Sequence, residues 1–289
     1  MAHNDKEYWN QPENIRKLNF NHKQINELPD LKSYLNLREL YACNCNIDNV
    51  EYLPTTLEIL ELAHNNITHI ESFPPNLRTI ILFKNKLTKL PDILPESLNK
   101  FTISQNQITT LDNLPFGIEE LYCSNNNISS LDNLPETLQV LICHGNKITS
   151  LDYLPPRLVY LSCNRNSITS LDNLPQGLEE LYCSENNITT LDNLPSSLKY
   201  LECDTNNIIS LDNLPQGIKH LQCSINKIIS LDNLPEGLFK LWCHTNNIIA
   251  FNNLPDSLKA IECSYNPLIY DFTPTLENIR KFNASRITQ

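Results

Sequence analysis

Apolar side chains recur along this chain in a fixed phrase. Leu121, Cys123, Ile128, Leu131, Leu134 and Pro135, with Asn126 among them, reappear twenty residues later as Leu141, Cys143, Ile148, Leu151, Leu154 and Pro155, with Asn146. A self-similar period that short is the mark of a solenoid. Within the phrase, Leu121-Tyr122-Cys123 alternates inward and outward candidates with period two, which predicts a short half-buried strand. The following Leu131-Asp132-Asn133-Leu134-Pro135 brings a proline into each unit, so the return segment cannot be a regular helix and is expected to be extended or polyproline-like. Anchored on the asparagine position, the phrase runs through Lys23, Cys45, Asn65, Asn85 and Asn106, then every twenty residues to Asn266, thirteen units in all. The first spacings are 22, 20, 20 and 21 residues, so the amino-terminal units have drifted while the later ones remain near copies. The drifted end is expected to double as a cap.

One unit cannot fold alone. It offers about six inward apolar side chains, each contributing roughly 1.5–3 kcal/mol when fully buried, whereas ordering its residues costs at least ~1 kcal/mol apiece. Stacking covers the open faces and shares stability along the array. Thirteen strands at about 4.8 Å per step give a parallel sheet on the order of 60 Å along its edge. The asparagine column has a specific task, because the chain turns sharply after the strand and leaves interior backbone groups that need partners. A carboxamide both donates and accepts, so stacked asparagines can form an interior ladder, with weaker rungs at Cys45 and Lys23. Eight of the ten cysteines (Cys123, Cys143, Cys163, Cys183, Cys203, Cys223, Cys243 and Cys263) share one column. Neighbouring Cα atoms there would lie about 5 Å apart, within disulfide range, but parallel in-register strands aim their Cβ bonds side by side. The expectation is a row of core thiols, and a row is also the wrong shape for a tetrahedral zinc site.

At this point the residues carry a resemblance. Ile118, Leu121, Cys123, Asn126 and Ile128 fall on the pattern L-x-x-L-x-L-x-x-N-x-L, and the chain resembles the leucine-rich repeat family over about residues 15–270. The repeat length and the Leu134-Pro135 pair are most similar to the short bacterial type found in effectors of the YopM and IpaH kind; Asn- and Ile-rich versions also occur in proteins predicted from giant DNA viruses. The resemblance implies an α/β-class solenoid of about thirteen repeats, with a curved right-handed parallel sheet and a mostly non-helical convex side. It also implies a broad role, since such folds mostly bind other proteins. The expected organisation is an N-terminal cap at 1–14, the solenoid at 15–270 and a helical C-terminal cap at 271–289, where Leu276, Ile279 and Phe282 have helix-like spacing. Glu7-Tyr8-Trp9 is expected to act as the lid at the other end.

Composition narrows the choice of partner. A formal charge of -11, from 33 acidic against 22 basic side chains, repels phosphate backbones and anionic lipid. This argues against nucleic acid and membrane and weakly favours basic partners. No stretch approaches the ~20 apolar residues of a membrane helix, and the start has no apolar signal region, so a soluble cytoplasmic protein is expected, in the host cytosol if it is a viral or bacterial effector. With five glycines in the chain there is no phosphate loop, and no nucleophile elbow or His-Glu-x-x-His motif occurs, so neither catalysis nor a cofactor is expected. The stacked carboxylates Asp112, Asp132, Asp152, Asp172, Asp192, Asp212 and Asp232 need compensation. Each can accept bonds from its own following backbone in an Asx-type turn, or neighbours can share calcium weakly and incidentally.

The repeats serve as their own alignment: constant columns mark the interior and variable columns mark surface free to specialise. Variation peaks at the outward strand positions, where Tyr122, Val140, Ile142, His144, Tyr160, Tyr182, Tyr200, His220, Trp242 and His244 fall. Large aromatic and apolar groups facing water on a concave sheet are the usual material of binding hot spots. The same residues also favour strands and stack across them for structural reasons. The sequence therefore predicts a non-catalytic module that binds a protein partner on its concave face. Two alternatives stay open: an adaptor recruiting an enzyme such as a ubiquitin ligase through its ends, and a structural array without a dedicated ligand.

Overall fold

The computed structural model describes residues 14–287, so Glu7-Tyr8-Trp9 and nearly all of the expected N-terminal cap lie outside the described residues. The chain divides into two compact units, 1–146 and 147–289. The first holds β1 (Lys17–Asn19), β2 (Glu39–Tyr41), β3 (Ile59–Glu61), β4 (Thr79–Ile81), β5 (Lys100–Thr102), β6 (Glu120–Tyr122) and β7 (Val140–Ile142). The second holds β8 (Tyr160–Ser162), β9 (Glu180–Tyr182), β10 (Tyr200–Glu202), β11 (His220–Gln222), β12 (Lys240–Trp242), β13 (Ala260–Glu262) and the helix α1 (Leu276–Ile287). Within each unit the strands are parallel, and their order in the sheet is their order in the chain.

Register is in phase with the repeat: Leu121 pairs with Leu141 in the first unit, and Leu201 with Leu221 in the second. Each strand is one residue earlier than the alternation predicts, Glu120–Tyr122 and not 121–123. Cys123 lies just past the strand yet is fully buried, and its N–H still donates to Ile142 O at 2.8 Å. The return segment is non-helical and bends through turns at 132–133 and 136–137, closed by Leu138 N–H donating to Pro135 O at 3.1 Å. The leucine, isoleucine and cysteine columns form the interior.

The asparagine ladder is present and explains the column. In the second unit Asn186 Oδ1 accepts from Ile168 N–H at 3.0 Å, while its Nδ2 donates to Cys163 O at 3.1 Å and Cys183 O at 3.0 Å. In the first unit Asn126 does the same for Ile108 N–H, Ile103 O and Cys123 O. At the drifted rung Cys45 has only a thiol to offer, which donates to Phe20 O.

The residue before each ladder position adopts left-handed backbone. Asn125 (φ 53°), Gly145 (66°), Arg165 (55°), Glu185 (56°) and even the β-branched Ile225 (54°) share it. Such a φ is unusual for β-branched side chains. It is held where the N–H donates to the next coil, as in Glu185 to Asp204 O and Ile225 to His244 O, both at 2.9 Å. Coil-to-coil pairing sets this turn, and Gly145 is the one glycine that adopts it.

After β13 the chain closes with α1. Ile279 is fully buried, and Phe282 packs with Tyr270 and Phe272 at ring centroid separations of 5.2 and 5.6 Å. The Arg280 guanidinium donates to Pro255 O, Asp256 O and Leu258 O at 2.9, 3.2 and 3.1 Å. Charge-assisted bonds to backbone carbonyls are worth about 1.5–3 kcal/mol. Arg280→Met is accordingly expected to lower the stability of the second unit by about 2 kcal/mol in chemical denaturation. A change below about 0.5 kcal/mol would show that α1 does not brace the last coil.

Candidate functional site

In every strand the middle residue points into the core, and the first and third stand on the opposite, open face. In the second unit these outward positions build a continuous row of rings. Tyr160 lies 5.2 Å from Tyr182, Tyr182 stacks on Tyr200 at 5.2 Å, and Tyr200 stacks on His220 at 5.4 Å. His220 then meets the edge of Phe239 at 6.1 Å. The row zigzags, using the first position of β8, the third of β9 and the first of β10 and β11. Burial and the bond from Tyr182 Oη to Glu180 Oε2 at 2.9 Å push the Tyr182 phenol well up. Gln222 Nε2 donates to Tyr200 Oη at 2.8 Å, fixing the second ring. Trp242, one strand further on, is 39% exposed and Phe239 42%. His244 Nδ1 lies 3.1 Å from Thr245 Oγ1.

The first unit carries a different arrangement. Tyr122 donates to Glu120 Oε2 at 2.8 Å, and Lys100 of the neighbouring strand pairs with the same carboxylate at 2.8 Å. Lys100 holds the Glu120 carboxyl below its ordinary range, and desolvation raises the Tyr122 phenol. Val140 and Ile142 flank the buried Leu141 on β7, half-exposed, and His144 follows, also half-exposed. Of the ten predicted face residues, Tyr160, Tyr182, Tyr200 and His220 are brought into direct ring contact.

Phe239 was missed by the sequence reading because it precedes its strand and lies outside the outward column. A second feature was also missed: Ile209, Ile229, Ile249 and Ile269 form an exposed column in the second unit, where the repeats from Thr68 to Thr189 carry Thr or Ser. The signal was available as a column that turns apolar only in the last four units.

Beneath the face runs a second ladder. Asn164 Oδ1 accepts from Ser184 N–H at 2.7 Å, Ser184 Oγ from Asp204 N–H at 3.0 Å, and Asp204 Oδ1 from Ser224 N–H at 2.6 Å. Burial raises the Asp204 carboxyl above its usual range.

The cysteine column is a row of buried free thiols. Burial pushes Cys123 and Cys163 up to about 12, far from the thiolate that nucleophilic or metal chemistry requires. On the return side Asp152, Asp172, Asp192, Asp212 and Asp232 take their bonds from a hydroxyl two residues earlier and a carboxamide one coil later, the latter a partner that a local Asx turn does not supply. Asp172 accepts from Ser170 Oγ at 2.7 Å and Asn193 Nδ2 at 3.0 Å. The Asn193 bond, then the Ser170 bond, holds the Asp172 carboxyl below its ordinary value. Among the described residues no group of three or more His, Cys, Asp or Glu is placed to hold a metal ion, and no helix is long and apolar enough to cross a membrane.

Among solved structures the chain is similar to YopM, a leucine-rich effector protein from Yersinia pestis. Identity is 30% over 87% of this chain and 78% of that one, with a TM-score of 0.75. The chain belongs to the leucine-rich repeat family. This leucine-rich repeat protein also resembles in fold a leucine-rich repeat protein of Leptospira interrogans, at 24% identity over 96% of this chain and 84% of that chain, TM-score 0.72. A third similar fold is the functional domain of InlJ from Listeria monocytogenes, which includes a cysteine ladder, at 23% identity over 90% of this chain and 65% of that chain, TM-score 0.70. No protein-family model and no curated protein sequence matches the chain. A leucine-rich repeat solenoid is characteristically a non-enzymatic interaction scaffold, with function placed on its variable surface.

Proposed function

We propose that this protein is a non-catalytic binding module that engages a protein partner on the open face of its sheet, with residues 271–289 as a lid. The observation that carries this reading is the unbroken row Tyr160, Tyr182, Tyr200, His220 and Phe239, joined by the exposed Trp242 and by His244. A core would explain such rings only if they were covered, and they face water. Rings clamped by neighbours and by Glu180 and Gln222 lose little entropy on binding, which is what makes aromatic anchors effective. The first unit offers its own outward residues to a partner, Tyr122, Val140, Ile142 and His144. The net charge of -11 favours a protein over a polyanion.

The test is Tyr122→Ala, Tyr182→Ala and Trp242→Ala combined, followed by affinity capture from the relevant cell extract. Hot-spot aromatics cost about 2 kcal/mol or more each, so captured partners are expected to bind at least about 30-fold more weakly. Unchanged recovery with a native melting profile would remove this face from consideration.

A further inference from the structure

Ile209, Ile229, Ile249 and Ile269 stand three residues after the ladder asparagine in four successive coils of the second unit, and they are 59, 62, 52 and 59% exposed. The last two rungs lie side by side, with Ile269 N–H donating to Ile249 O at 3.0 Å. The fold does not ask for an apolar group at this position, since the repeats from Thr68 to Thr189 carry Thr or Ser there. The core does not use these side chains either, because more than half of each faces water. Four such groups in line make a strip on the order of 400 Å², a size at which exposed apolar patches are often functional.

We propose that this strip is the contact between two copies of the chain, packed strip against strip as a two-fold dimer. Charge favours a second copy. In a chain of net charge -11, the eight residues that lie two before and one after each isoleucine include a single ionic group, Lys227. Beside the strip, Asp212 and Asp232 are occupied by the hydroxyls of Ser210 and Ser230 and by the carboxamides of Asn233 and Asn252. Two acidic copies meet here without opposing bare carboxylates, whereas a basic partner finds little to pair with. Period favours it too. A strand presents one face every second residue, about 6.7 Å apart, and a helix in alternating steps of three and four residues. Neither reproduces four identical rungs, while a second copy repeats the coil pitch by construction. With its polar flanks the strip offers roughly 600 Å² per copy, near the lower limit of specific interfaces at ~1,200 Å² in total. This suits a weak pair with a dissociation constant on the order of 10–100 µM. Each isoleucine lies seven residues beyond the end of its strand, on the return side, so the dimer leaves the ring row of the open face uncovered and presents it twice.

Sedimentation equilibrium of the full chain from about 2 to 500 µM measures the pairing. The wild type is expected to pass from monomer to dimer across this range, and added salt should tighten the dimer by screening the repulsion of two acidic copies. Ile209→Thr, Ile229→Thr, Ile249→Thr and Ile269→Thr combined give each coil a residue that the column carries elsewhere, so the fold is kept, as a native melting profile verifies. This variant should dimerise at least about 30-fold more weakly. Ile229→Asp alone, which sets a carboxylate in the strip of each copy, should cost at least about tenfold. A wild type still monomeric at about 500 µM, or a threonine variant that dimerises like wild type, would overturn the pairing. So would a monomeric wild type whose threonine variant loses a cellular partner, which assigns the strip to a different protein. The inference is independent of the open-face reading: Tyr122→Ala, Tyr182→Ala and Trp242→Ala combined should leave the dimer intact. Loss of the dimer in that variant, with the threonine variant unaffected, would move self-association to the open face and sink the strip.

Discussion

Between pH 9 and 10 the unit formed by residues 147–289 is expected to lose about 8 kcal/mol of stability, enough to unfold it. The cause is the thiol row. Burial raises Cys163 to about 12 and Cys263 to about 11, and it raises Cys183, Cys203, Cys223 and Cys243 as well. In the unfolded chain each thiol returns to about 8.5. Above that value the unfolded state releases protons that the folded state retains, so stability falls as pH rises. The thiol contribution is complete below about pH 8 and drains away towards pH 11–12, at about 1.4 kcal/mol per thiol per pH unit. Urea denaturation under reductant from about pH 7 to 10 measures the slope directly. A variant with Cys183→Ala, Cys203→Ala and Cys223→Ala begins less stable because of its cavities. Its slope nonetheless should be about half that of the wild type, since three of the six thiols are gone. An unchanged slope would place the alkaline sensitivity elsewhere.

Replacing Asn186 with leucine is expected to cost about 2–4 kcal/mol, comparable to a large-to-small core change. The side chain makes four bonds in the interior; its loss orphans Ile168 N–H, while Cys163 O, Cys183 O and Ser184 O each lose one donor and keep another, Asn166 Nδ2, Asn206 Nδ2 and Arg165 N–H. The orphaned N–H costs about 1–3 kcal/mol, because water cannot reach it, and the bonds lost at the carbonyls add to that. Asn186→Asp should be as damaging: its carboxylate can still accept from Ile168 N–H but must face three carbonyls with no proton to give. Chemical denaturation gives the loss, and hydrogen exchange at the Ile168 amide should rise in step. A loss below about 1 kcal/mol would mean that solvent or a neighbour replaces the rung.

The interior was legible residue by residue because it is the part that repeats. Leu121, Cys123, Asn126 and Ile128 each have a counterpart twenty positions on, and parallel pairing in register places those counterparts side by side. The open face was legible only as a set of candidates. Column membership named Tyr160, Tyr182, Tyr200 and His220, but their contact runs diagonally from the third position of one strand to the first positions of its neighbours. A column-wise reading has no diagonal, so neither the ring row nor the place of Phe239 in it could be drawn.

The amino-acid sequence by itself determined the repeat, the strand in each unit, the absence of a helix from the return, and the identity of the columns that fill the core. Those follow from short-range periodicity and from the rule that a unit unable to bury its apolar face alone must stack. Only the tertiary structure decided how polar groups are satisfied and which surface groups meet. Asp172 is held by Asn193, Ser184 by Asn164, and the left-handed turn at Ile225 by a carbonyl one coil away. Each of these bonds joins residues about one full coil apart, and its geometry depends on the pitch and stagger of neighbouring coils. A linear pattern states which residues recur; the distance between recurrences in space comes from packing.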